Sequence, residues 1–280
     1  MYDMNELVLI TGASGFVGQQ VLRSLDARQC PVRAITRSTE SSAFHRYSNI
    51  ESVVQTQDLF QESSDWWMRA LEGVSVVVHV AWHVEPTTYL HSPQNIECLV
   101  GTIRLARAAA KSNVRRFVGV GTCFEYDLSA GTLSVDTPLK PTTLYASCKA
   151  SAFLTLSQLF AQSDVEFLWC RLFYLYGEGE KSGRLMPHLR QRLSAGEHAE
   201  LTSGKQIRDF MDVREAGSLI TELTCGETQG AVNICSGVPT TVRQFAEAVA
   251  DEYGARHLLK FGARQDNAID PPQVLGIRNF

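Results

Sequence analysis

The sequence predicts an α/β fold, a doubly wound parallel sheet with a smaller mixed α/β region toward the C-terminus. Two observations carry this prediction. Apolar runs such as VLIT, VSVVVHVA and VEFLWCRLF lack the two-residue alternation of half-exposed strands, so they fit strands buried on both faces. They also alternate with segments of helical spacing, and strand–helix alternation builds a parallel sheet covered by helices. In order, ELVLIT is a strand, GFVGQQVLRSLDAR a helix, VRAIT and SVVQTQD strands, and WWMRAL a helix. VSVVVHVA is a strand, CLVGTIRLARAAAKS a helix, and RRFVGVGT and VEFLWCRLF are strands. After Tyr176 the pattern loosens. YGEGEKSGR reads as a loop, Met186 to Ala195 as a helix, AVNICSG as a strand and TVRQFAEAVADEYG as a helix. The expected division is a dinucleotide-binding domain over 1–174, rejoined by about 206–224, and a smaller substrate-binding domain over 175–280.

The bulk numbers narrow the function classes. The chain has 280 residues, 44% of them hydrophobic and 20% charged, which suits one large domain or two coupled ones. A net charge of −4 leaves no basic footprint for nucleic acid or an anionic membrane. The longest strongly apolar run, Val74 to Trp82, is too short to span a bilayer. The N-terminus does not read as a signal peptide. Seven scattered cysteines without a CxxC pair point to reduced thiols, hence to the cytoplasm.

VLITGASGFVGQQVL places Gly12, Gly15 and Gly18 between the first strand and the first helix. A phosphate there meets unpaired backbone N–H groups and the positive end of the helix dipole, and glycines let the backbone approach it. This context, opening a βαβ unit, makes the turn a dinucleotide site of the Rossmann type, with Phe16 and Val17 in the same turn. The second strand ends at Thr36, where an NAD-selective site carries Asp or Glu for the ribose 2′-hydroxyl. Arg37 and Ser38 follow instead, and a guanidinium with a hydroxyl suits a 2′-phosphate, so NADP is favoured over NAD. Asp58 is a candidate acceptor for the adenine amino group. Leu59, Ala81 and Phe173 complete the expected cofactor contacts.

TLYASCKA carries Tyr145 and Lys149, four apart and on one face of a helix. A phenol of pKa about 10 becomes a useful acid or base near neutrality only when an ammonium stabilises the phenolate, which Lys149 can do. Together, GASGFVG, Thr122, Tyr145 with Lys149, and RDFMDV (208–213) resemble the extended short-chain dehydrogenase/reductase family. Within it they resemble the nucleotide-sugar epimerase, dehydratase and 4-ketoreductase branch. The resemblance covers nearly the whole chain. It implies that Thr122 bonds a sugar oxygen, that Tyr145 is the acid or base, and that Lys149 lowers the Tyr145 pKa.

Relatives that perform 4,6-dehydration carry Asp and Glu directly after the Thr, where this chain has Cys123 and Phe124. Read as a strand, GTCFEYD would point Glu125 away from the site. A buried Phe124 moves no proton, and Cys123 reads as a pocket wall. Two further departures concern Cys98, in place of a helix Asn with Asn95 one turn earlier, and Tyr174, in place of an Asn that touches substrate phosphate. The resemblance assigns Arg208 to a diphosphate, with Arg184 and Arg264 in flanking loops and His83 in the pocket. His79 and His83 do not converge as a metal pair, and no metal site is expected. Trp66 and Trp67 read as core.

The sequence thus points to NADP-dependent reduction of the 4-keto group of a nucleotide-activated 6-deoxyhexose. The alternatives are an NAD-dependent nucleotide-sugar 4-epimerase and a non-catalytic NADP-binding sensor or scaffold. The resemblance also implies a homodimer through helices of about 94–111 and 145–162, and a further helix where this chain ends at GIRNF.

Overall fold

The computed structural model describes residues 6–37, 44, 46–267 and 270–280. The first half runs β1 (Val8–Thr11), α1 (Phe16–Ala27), β2 (Val32–Thr36), β3 (Ile50–Gln55), α2 (Ser64–Ala70), β4 (Val76–His79), α3 (Gln94–Ala109) and β5 (Arg116–Thr122). The short β6 (Thr132–Leu133) follows, then α4 (Leu144–Phe160), β7 (Glu166–Leu172) and β8 (Tyr174–Tyr176). The remainder is α5 (Leu185–Ser194), β9 (Ala199–Leu201), β10 (Ile207–Asp212), α6 (Val213–Thr224), β11 (Gly230–Ile234), β12 (Pro239–Thr241), α7 (Val242–Asp251), β13 (Leu259–Phe261) and β14 (Gln273–Gly276).

Among the described residues, seven strands form one parallel sheet in the order β11-β7-β5-β4-β1-β2-β3. The continuous apolar runs follow from its two covered faces. Val8 and Ile10 of β1 pack into the cluster beneath α1 and α6, while Leu9 between them joins the opposite cluster with α2, α3 and α4. Fully burying each such side chain contributes about 1.5–3 kcal/mol. The helices sit close to one another: a Cβ on Gly217 of α6 would lie 2.5 Å from the Gln20 Cβ of α1. The strand order reverses between β1 and β4, and a crevice at such a switch point, beyond the strands' carboxyl ends, is where open α/β sheets bind ligands.

The second lobe holds a mixed sheet in the order β12-β10-β14-β6, with β8 on the other half of β10, and a β9–β13 pair. Its own core joins Met186, Leu189 and Leu193 of α5 to Phe245 and Val249 of α7. The rings of Phe210 and Phe245 stack at 4.1 Å. A third group, with Cys123, Tyr126, Leu133, Phe173, Cys235 and Val274, fills the seam between the lobes. The chain's return to the large sheet runs past the expected 206–224, because GAVNI of β11 pairs with Leu168–Leu172 of β7. Among the described residues no helix is long and apolar enough to cross a membrane.

Candidate active site

The β1–α1 turn is built by steric necessity at two glycines. Gly12 has φ +72°, and a Cβ there would lie 2.7 Å from the Ala81 N beyond β4. A Cβ on Gly18 would come within 2.0 Å of Gly12 O. Gly15 differs. It is exposed, it is the N-cap of α1 without a side-chain capping bond, and its Cβ would meet only Gly12 O, at 3.2 Å. The helix therefore starts with first-turn N–H groups not capped by a side chain at the switch-point crevice, the donor set that a diphosphate requires. These residues fit a dinucleotide cofactor.

Of the other predicted cofactor residues, Phe16 and Val17 open α1, and Phe16 lies 3.9 Å from the position of a Gly179 Cβ. Arg37 is exposed at the end of β2, and Ser38 lies outside the described residues. Asp58 is exposed and accepts from Phe60 N at 3.0 Å, while Leu59 and Ala81 are buried. Phe173 packs in the seam between the lobes. His79 is buried between Thr11 and Thr102, with both hydroxyls 2.8 Å from its ring nitrogens. Burial, and then the Lys149 charge, push His79 down to about 3, so this core imidazole stays neutral.

The segment read as a strand at GTCFEYD is a turn. β5 ends at Thr122, and Cys123–Glu125 form one turn of 3₁₀ helix in a capping box. Thr122 Oγ1 accepts from Phe124 N at 3.3 Å, and Glu125 folds back to accept from Thr122 N at 2.9 Å. Glu125 points inward because it has partners there. It is fully buried, 2.7 Å from Arg171 Nε and 3.0 Å from Trp169 Nε1. Arg171 in turn donates to the Tyr126 hydroxyl at 2.9 Å, which donates to Asn233 at 2.7 Å. Gly121 is what admits this group, since a Cβ there would lie 2.2 Å from Trp169 Nε1. Phe124, expected to be buried, is half-buried, because the turn brings its ring edge-on to Tyr174 at 6.0 Å.

Thr122, Tyr145 and Lys149 are brought together beneath this turn. Thr143 caps α4, placing Tyr145 and Lys149 in its first two turns, 8% and 3% exposed. Burial raises the Tyr145 phenol well above its usual range; the neighbouring Tyr89 adds to this, and a hydrogen bond with the Thr122 side chain opposes it. Lys149 Nζ donates to Val120 O at 2.6 Å. Burial pushes Lys149 down to about 7, against the pull of Glu125 and Cys98. Cys123 is buried at the edge of this group in an apolar cluster, and burial raises its thiol, so it stays protonated.

On the substrate side, Arg208 is 3% exposed, 2.7 Å from Asp270 through Nη2, and 5.3 Å from the Tyr174 ring centroid. Its neighbour Asp209 is fully buried and ties Ser236, Gly237 and Gly276 N–H groups together, at 2.6, 2.9 and 3.1 Å. Arg184 lies over the Tyr89 ring at 5.6 Å. His83 is half-buried, its N–H 3.4 Å from Cys98 Sγ. Arg264 is in a polar cavity of about 150 Å³ with His188, Arg192, His198 and Glu200, a lining that includes neither Arg208 nor its partner Asp270.

The sequence reading missed two aromatic residues at the centre. The Tyr89 ring meets Tyr145 edge-on at 4.9 Å, and the Trp82 ring lies 3.8 Å from Lys149 Nζ. Trp82 was visible only as the end of the apolar run through β4, and Tyr89 sits in a loop without periodicity.

Over residues 8–235 the sequence matches the NAD dependent epimerase/dehydratase family, and the chain belongs to it. Among curated relatives is the dTDP-6-deoxy-L-talose 4-dehydrogenase (NAD(+)) of Aggregatibacter actinomycetemcomitans, 22% identical over 97% of this chain and 99% of the relative. The fold is that of a UDP-N-acetylglucosamine 4-epimerase from Methanobrevibacter ruminantium M1, solved with UDP-N-acetylmuramic acid. That match has a TM-score of 0.86 and 18% identity, over 98% of this chain and 90% of the other. MoeE5 in complex with UDP-glucose and NAD also superposes, with a TM-score of 0.79 and 24% identity over 96% and 88%.

Proposed function

We propose that this protein is an NADP-dependent reductase of the 4-keto group of a nucleotide-activated 6-deoxyhexose, acting in the cytoplasm. The observation that carries the reading is the Thr122–Tyr145–Lys149 group with Cys123 and Phe124 beside it. That set offers one proton donor at a sugar oxygen. It offers no acid–base pair at 123–124 for removing water. Similarity to a 4-dehydrogenase of a dTDP-6-deoxy sugar supports the same carbon as the reacting centre.

A nicotinamide dinucleotide bound at the glycine turn supplies the hydride. Tyr145 protonates O4, with the Thr122 hydroxyl beside it to bond the same oxygen. The Lys149 ammonium next to it on the helix stabilises the phenolate left behind. Arg208, already in an ion pair, exchanges Asp270 for the substrate diphosphate. Arg37 at the end of β2 selects the 2′-phosphate. The NAD named for the talose dehydrogenase keeps NAD as the alternative cofactor, and the epimerase fold match keeps 4-epimerisation as the alternative reaction. Exposed Ile96 and Val100 on α3 and Leu154 on α4 support a homodimer through these helices.

The test is separate titration with NADPH and NADH, followed by assay with dTDP-, CDP- and GDP-4-keto-6-deoxyhexoses. The reading expects net NADPH consumption with one of these sugars. An Arg37→Leu variant should weaken NADPH binding about tenfold or more and leave NADH unchanged, as loss of a hydrogen bond to a charged group predicts. Protein that carries NAD and interconverts two sugars without net oxidation of added cofactor overturns the reading.

A further inference from the structure

Where the resemblance implies an Asn on α3 that supports a proton relay, this chain has Cys98, whose thiol accepts from His83 N at 3.4 Å. Asn95, one turn earlier, faces the loop instead. Its Nδ2 donates to Tyr89 O and Ser92 O at 2.6 and 2.8 Å, and its Oδ1 accepts from Trp82 Nε1 at 2.8 Å. That last bond fixes the indole. Its ring also makes near-perpendicular contacts with Phe60, at 6.4 Å between centroids, and Tyr145, at 6.5 Å. So held, the ring presents its face to Lys149 Nζ at 3.8 Å from the centroid. Cation–π attraction operates out to about 6 Å, is strongest for Trp and grows when the pair is desolvated. Lys149, 3% exposed, is desolvated.

We infer that Trp82, clamped by Asn95, is a positioning residue that keeps Lys149 an ammonium at neutral pH, in the place of a polar group on α3. The inference rests on the catalytic reading of Lys149 given above. The other groups facing Lys149 divide as follows. Val120 O from β5 accepts a hydrogen bond from it, and Glu125 from the turn after β5 and Cys98 from α3 favour its charge. His79 from β4 is neutral and gives no counter-charge, and the Trp169 ring from β7 is more distant, at 5.8 Å. Glu125 is shared with Arg171, so it cannot be the ammonium's dedicated partner. Burial, partly offset by Glu125 and Cys98, brings the lysine down to about 7, where a small change in stabilisation alters how much of it is charged.

The test reads Lys149 directly, whether or not a substrate is known. The six lysines are labelled with ¹³C at Cε, the Lys149 signal is identified by its loss in Lys149→Arg, and its titration is followed by NMR. Trp82→Leu should lower the midpoint by roughly half a unit to one unit, with Trp82→Phe in between. The Phe variant keeps a ring in the site, so it reads the effect even where Leu disturbs folding. In the NADPH assay the same variants should shift the pH profile of kcat while KM for the sugar nucleotide stays within about twofold of the parent, as expected when transition-state stabilisation alone is lost. An unchanged Lys149 midpoint in both variants overturns the inference. A shifted midpoint in a protein that reduces no sugar retains it and overturns the catalytic reading instead.

Discussion

Two turns at the carboxyl edge of the same sheet, Gly12–Gly18 after β1 and Thr122–Tyr126 after β5, solve opposite problems. Both convert a buried strand into the start of a helical turn. In the first, the N-cap is a glycine with no side chain, so the helix amides face outward. In the second, the N-cap is Thr122, and its own side chain and that of Glu125 take up the free N–H groups. The first turn can bind an anion through its backbone. In the second, side chains take up the N–H groups of Thr122 and Phe124 and hold the Thr122 hydroxyl in place. The two helix ends differ in what caps them, backbone alone in the first and side chains in the second.

The largest expected effect falls on the chemistry. Tyr145→Phe should reduce turnover by about 10²–10⁴-fold, the usual worth of a positioned acid–base group, with cofactor binding intact. A protein that functions only as a sensor would show no such loss in its response. Next comes the support beneath Thr122. Glu125→Gln leaves Arg171 buried without its carboxylate and should cost about 3–5 kcal/mol in urea unfolding. If stability is retained, the second turn does not depend on the buried ion pair, and the contrast between the turns weakens.

The smallest effects divide the glycines. Gly18→Ala collides with Gly12 O and should cost about 1–3 kcal/mol of stability, as overpacking does. Gly15→Ala meets little protein, so it should fold normally and lose affinity for the dinucleotide, read by fluorescence titration. Equal stability losses at both positions would mean that the turn's glycines serve packing alone.

The same contrast explains what was legible in the sequence. Gly12, Gly15 and Gly18 announce a backbone-defined site because their lack of a side chain is itself the signal. The buried strands were legible for a related reason: two covered faces leave a continuous apolar run. The 123–125 turn was not, because Glu125 adopts it only through Trp169 and Arg171, which arrive from β7 more than forty residues later. Tyr145 and Lys149 were visible by helical spacing, but the Trp82 ring over Lys149 depends on Asn95 turning toward the loop. Arg208 was visible, whereas its pairing with Asp270 joins segments far apart in the chain.

The central claim is that one proton donor, Tyr145, works on one carbon of the sugar. The most direct measurement follows deuterium from 4,4-dideuterated NADPH into a 4-keto-6-deoxyhexose nucleotide. The account predicts one deuterium at C4 of the product for each NADP⁺ formed. No deuterium in the sugar and no NADP⁺ formed, from a protein that carries NAD and inverts C4 of the corresponding 4-hydroxy sugar nucleotide, would contradict it and favour the epimerase instead.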